Sequence, residues 1–195
     1  MPWIRFMCNS IVGLSLGLAV FFSFNEPADA SVFIAMTAEE LIGQSDAVIQ
    51  GDVVSQQSRW DEQGQLIVTD TTVRVSEVIV GEAPPVVTVR TIGGGVGRLL
   101  VEAPGFPQLD PGEAVLLFLK NDEAIQASRI VGYEQGHFEV VERRDGVVLA
   151  VPRIEDDAGF FTPSGQFVPA PPSTELSSFK KRVRAEAARL GRATN

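Results

Sequence analysis

From Ala47 to Val151 the apolar residues recur at alternate positions in short runs, and glycine, proline and Asp-Gly turns cut the runs apart. A period of two belongs to strands with one face turned inward, so the chain is read as mainly β. Ala47 to Ser55 is a first strand, with Gly51 marking a bulge or a tight corner. Asp61-Glu62-Gln63-Gly64 is a turn into a long second strand, Leu66 to Val80. Val73 and Val75 alternate there with Thr72, Arg74 and Ser76, and the apolar phase then slips to Val78 and Val80. A bulge near Ser76 or Glu77 accounts for the slip and lets one strand serve two sides of a small closed barrel. A third strand, Val86 to Ile92, follows the breaker cluster Gly81–Pro85. Val115 to Leu119 is apolar on both faces and predicts the central buried strand. Ser128 to Tyr133, His137 to Glu142 and Val147 to Val151 complete the set, the last two joined by a hairpin at Asp145-Gly146.

Two helices flank the β region. Thr37-Ala38-Glu39-Glu40 is a capping box and predicts a short helix from about Ala38 to Gln44. Residues 31–152 are thus a β-barrel domain. Residues 153–172 read as a linker, because Pro152, Pro163, Pro169, Pro171 and Pro172 limit regular structure. Residues 173–195 read as a basic amphipathic helix, with Leu176, Phe179, Val183 and Leu190 on one stripe, Ala187 beside it, and Lys180, Lys181 and Arg184 facing away. The stripe suits docking on the domain, a membrane surface or another chain.

Residues 1–30 read as an export signal: Arg5 supplies the positive start, Ile11 to Phe24 the apolar run, and Ala28-Asp29-Ala30 the small-residue cut. Fourteen residues rise about 21 Å as a helix, short of the roughly 30 Å hydrocarbon core, which favours cleavage over an uncleaved anchor. A cut near Ala30 delivers the remainder to the periplasm or the extracellular space and removes Cys8, the one cysteine. Residues 31–172 carry 9 basic and 21 acidic side chains, whereas 173–195 carry six basic and two acidic. An acidic body repels phosphate backbones, so nucleic acid is not an expected partner.

The run Asp46-Ala47-Val48-Ile49-Gln50-Gly51-Asp52-Val53-Val54, with Ser58-Arg59-Trp60-Asp61, resembles the opening of a family of uncharacterised exported bacterial proteins. The similarity continues through Val75–Gly81, Pro85–Arg90, Gly94–Gly97, Gly105–Pro107, Gly112–Leu119, Val131-Gly132 and Gln135-Gly136. More remotely, the order of a strand ending in a glycine turn, a V-x-V strand, a Gly-Glu turn and a buried apolar strand resembles the netrin-like modules. Those are OB-type barrels that include the tissue inhibitors of metalloproteases. This resemblance implies binding rather than chemistry. The inhibitors' N-terminal cysteine has no counterpart at Ser31, so their inhibitory mechanism does not carry over.

The candidate site follows from the loops. Gly93 to Gly112 reads as one long loop, of a length that is usually functional. Gly94, Gly95, Gly97, Arg98 and Phe106 lie in it, and Arg59-Trp60-Asp61 offers an aromatic platform at the barrel rim for a protein or glycan of the cell envelope. The glycine cluster lacks the Gly-Lys-Ser/Thr ending of a phosphate loop. His137, the sole histidine, is expected at a surface or turn; without thiols it makes a poor metal set, and no metal or other cofactor is expected. Asp61, Glu62, Asp70 and Asp110 could flank a glycosidic bond, which keeps a carboxylate-dependent hydrolase of envelope polymers as the alternative.

Overall fold

A computed structural model describes residues 32–154 and 158–194; the leader and its cut near Ala30 lie outside the described residues. In chain order the elements are β1 (Val32–Ile34), α1 (Ala38–Gln44), β2 (Ala47–Trp60), β3 (Ile67–Gly81), β4 (Val86–Ile92), β5 (Gly94–Val96), β6 (Leu99–Val101), β7 (Ala114–Asp122) and β8 (Ala127–Ile130). A 3-10 turn at Tyr133–Gly136 leads to β9 (His137–Glu142), β10 (Val148–Pro152), β11 (Gly159–Phe161), β12 (Phe167–Val168), β13 (Thr174–Glu175) and α2 (Leu176–Arg189). The architecture is mainly β with one helix near each end of the described chain.

β7 organises the sheet. One edge pairs with β2; the other is divided, with residues 115–117 on β9 and residues 119–122 on β8. β2 continues antiparallel to β3 and β3 to β4, and β4 meets β8 in parallel at Val89 and Ser128. The strands β7, β2, β3, β4 and β8 therefore form a ring, from which β9, β10 and β13 extend as a branch.

The bends that close the ring lie where the alternation slips. The β2–β3 register shifts between Gln50 and Gly51, leaving Ser76 as the extra residue, and its hydroxyl donates to the Gln50 carbonyl at 3.2 Å. Gly51 is required there, because a Cβ would press on the Arg74 carbonyl and Val73. Both faces of β7 are buried, as its composition predicts. Val115, Leu117 and Leu119 join Ile49, Val73 and Val89 in the core enclosed by the ring. Leu116 and Phe118 face a second core formed with Leu41 and Ile42 of α1 and Leu176, Val183 and Ala187 of α2.

α2 is thus seated on the sheet through the predicted stripe, with the Phe179 ring 4.7 Å from that of Phe138. Lys180 and Arg184 do not face away; both reach Glu77 on β3. Beyond α2, the Arg192 guanidinium donates to the carbonyls of Ile42, Ser45 and Asp46, which closes the C-terminal end of α1. The capping box at its other end is present, Glu40 N donating to the Thr37 hydroxyl and Thr37 N to the Glu40 carboxylate. Two segments read as irregular contain short hairpins. The β5–β6 hairpin occupies the first part of 93–112. The β11–β12 hairpin occupies part of the proline-rich segment and pairs in parallel with β1.

Candidate functional site

The β2–β3 hairpin ends in a turn that Asp61 organises. Its carboxylate accepts from the backbone N–H groups of Gln65 (2.7 Å) and Leu66 (3.1 Å), and Gly64 takes the left-handed conformation. Beside the turn, register places Arg90 opposite Asp70. Arg90 donates to both Asp70 oxygens, at 2.6 and 3.0 Å, and to Glu62 at 3.1 Å. Arg59 donates to the same two carboxylates at 3.0 Å each. Burial alone would raise the Asp70 carboxyl, but hydrogen bonds from Arg90 and Arg59 outweigh it and hold it below its ordinary value. The Arg59 hydrogen bond draws Glu62 down to about 2. The two carboxylates and two guanidiniums form a charge-compensated plate across three strands.

The glycines have a packing reason. Gly94 has φ +118°, and a Cβ there would strike the hydroxyls of Ser58 and Thr69, which bond each other at 2.9 Å. Thr69 also donates to the Gly93 carbonyl at 2.7 Å. Gly94 and Gly95 pair with Val101 and Leu100, and Gly97, with φ +63°, makes the turn. The hairpin presents Arg98 and three exposed apolar residues, Leu99, Leu100 and Val101.

A cleft of about 750 Å³ opens beside the ion plate. Asp61, Glu62 and Leu66 of the turn, Arg90 of β4, Ile125 of the β7–β8 turn and Tyr133 line it, and Phe106 and Pro107 close one side. Of the residues singled out in the sequence, Asp61 and Phe106 come together here. Arg59 supports the cleft through Glu62 and Asp70. Trp60, half-exposed, and Gly94, Gly95, Gly97 and Arg98 are not in its lining. Sequence reasoning missed Tyr133, which is exposed, packs edge-on against Phe106 at 4.9 Å and has φ +57°. A left-handed backbone is uncommon for a bulky residue and marks a position held by its surroundings. Its signal was modest: the one tyrosine in the chain, next to Gly132. The other cations at the cleft are engaged, Lys120 with Asp46 at 3.0 Å and Arg129 with Asp122 at 2.9 Å.

His137 corrects the surface expectation. It is 1 % exposed, because it opens β9 in register with Leu117, deep in the sheet. Burial foremost, then the positive charge of Arg153, lowers its pKa to about 4. The imidazole is therefore neutral near pH 7, and neither ring nitrogen has a hydrogen-bond partner among the described residues. No cluster of three or more histidine, cysteine or acidic side chains with metal-binding geometry is present among the described residues. Comparison of the chain with family models, curated proteins and solved structures finds no match.

Proposed function

We propose that this chain is a non-enzymatic binding module of the cell envelope, delivered by its leader to the periplasm or the extracellular space. Its five-stranded ring is a small OB-type barrel, related to the netrin-like modules. The observation that carries this reading is the position of the cleft. Ligands of OB-type barrels lie on the face of the second and third strands, between the loop joining strands one and two and the loop joining strands four and five. Counting round the ring, β3 and β4 are the second and third strands, the 61–66 turn is the first of those loops and the turn holding Ile125 is the other.

The occupant is a protein or glycan. The Tyr133 ring, steadied by Phe106, offers a flat apolar surface amid polar groups, which suits stacking of a sugar or a side chain. Charge compensation of Arg90, Lys120 and Arg129 leaves little for a phosphate backbone, in keeping with the acidic body. The hydrolase alternative is less favoured, since a general acid needs a raised pKa whereas Glu62 and Asp70 are lowered. Peripheral membrane contact through α2 would rely on its exposed cations, such as Lys181 and Arg182, because the sheet occupies its apolar stripe.

Retention of the protein on immobilised envelope polysaccharides and envelope proteins tests the reading. Tyr133→Ala should weaken capture about tenfold, the effect of losing one well-packed aromatic contact, with an unchanged circular dichroism spectrum. Equal capture of both forms rejects this cleft. Release of sugar products would instead favour the hydrolase.

A further inference from the structure

A larger cavity, of about 920 Å³, shares no lining residue with the cleft. Its size suits a small-molecule ligand. Buried Phe118, Phe138, Phe160 and Val183 back it, and the part-exposed Met36, Ile154, Val168 and Phe179 supply accessible apolar surface. Pro169, Pro171 and Pro172 line it too, on the segment that leads from β12 to β13. Inside, Gln135 is already satisfied: it accepts from Met36 N at 2.7 Å and donates to the Ile34 carbonyl at 3.1 Å.

Charge gathers at the mouth. Arg189 bridges Glu39 and Glu186, both at 2.6 Å, and so compensates those two acids in part. Arg182 lies 5.9 Å over the Phe179 ring and donates to the Thr174 hydroxyl at 3.3 Å, and no carboxylate pairs with it among the described residues. A peptide or sugar in such a chamber would leave N–H, C=O or hydroxyl groups facing hydrocarbon without partners. An unbranched hydrocarbon would not, and an anionic end could take the fork of Arg182 in a bidentate contact.

We infer that this cavity binds a free long-chain carboxylic acid, its hydrocarbon tail along Phe179, Met36, Ile154, Pro169 and Pro171 and its carboxylate on Arg182. This inference stands independently of the proposed cleft ligand. Calorimetric titration of the delipidated protein with straight-chain carboxylates of ten to sixteen carbons, below their aggregation concentrations, tests it. Affinity should rise about fourfold per added methylene that is fully buried. Hexadecanol should bind at least about tenfold more weakly than hexadecanoate, and Arg182→Gln should bring the acid down to the alcohol without altering the alcohol. Ala185→Trp, which fills the cavity from an exposed position on α2, should abolish both while leaving the fold intact. Absence of saturable binding, equal affinity for acid and alcohol in the unaltered protein, or undiminished binding by Ala185→Trp would each overturn the proposal.

Discussion

Replacing Phe138 and Phe179 by leucine, singly and together, measures how α2 is held on the sheet. Phe138 is 6 % exposed, and its ring meets that of Phe179 at 4.7 Å with the planes inclined at 49°. Each single change preserves apolar character and much of the volume, so each should destabilise by about 1 kcal/mol. An aromatic pair adds about 0.5–1.5 kcal/mol beyond burial, and that part is lost only once, so the double variant should be less destabilised than the sum by that amount. Leu117→Ala is the control. Leu117 belongs to the core within the ring, on the opposite face of β7, and truncation there should cost about 2–5 kcal/mol. Combined with Phe179→Leu it should add within about 0.5 kcal/mol. Denaturant unfolding followed by far-ultraviolet circular dichroism supplies the free energies, provided the slope is unchanged among variants. Independence of Phe138 and Phe179, or coupling of Phe179 to Leu117 as strong as to Phe138, would refute the seating of α2 on the outer face.

Three further outcomes are expected. The imidazole of His137 should titrate by NMR with a midpoint near 4, and since the unfolded chain takes up its proton near 6.5, its contribution is fully present above 6.5 and falls as pH drops toward 4; a midpoint near 6.5 in the folded protein would mean that the ring reaches solvent. The lowered Glu62 and Asp70 contribute stability that is present above their unfolded values and declines as pH falls toward the folded ones, so Arg90→Gln should flatten the acid limb of the unfolding midpoint against pH. Gly94→Ala should destabilise by about 1–3 kcal/mol through a disfavoured backbone angle and a clash with the Ser58 and Thr69 hydroxyls, and relief of part of that penalty by Thr69→Ala or Ser58→Gly, which remove those oxygens, would be seen in the same melts; a neutral Gly94→Ala would contradict the described approach of the hairpin.

Local rules carried much of the fold. The capping box at Thr37 and Glu40, the Asp145-Gly146 hairpin, the two buried faces of β7 and the bulge that sets Ser76 opposite Gln50 and Gly51 each arise from neighbouring residues and could be read directly. What escaped was non-local or short. β5, β6, β11 and β12 have two or three residues each, too few to display alternation, and β1 finds its partner more than a hundred residues away. His137 looked exposed because it follows Gly136 at the start of a strand, whereas its burial depends on where β9 crosses β7. The site was legible in part for the same reason. Asp61 announced a turn, but Arg90, Ile125 and Tyr133 reach it only when the ring closes.

The closure itself has a weak seam. β2 and β3 share a long antiparallel ladder, while β4 touches β8 in register only at Val89 and Ser128. Breathing of the structure will therefore concentrate along that line, and deuterium will enter the amides of β8 sooner than those of the β2–β3 core. Arg129, Ile130 and Tyr133 ride on one lip of the seam, and Arg90 and Ile92 on the other. Parting them would widen this cleft without breaking the longer ladders, so local opening and loss of the sheet are expected to be separate events.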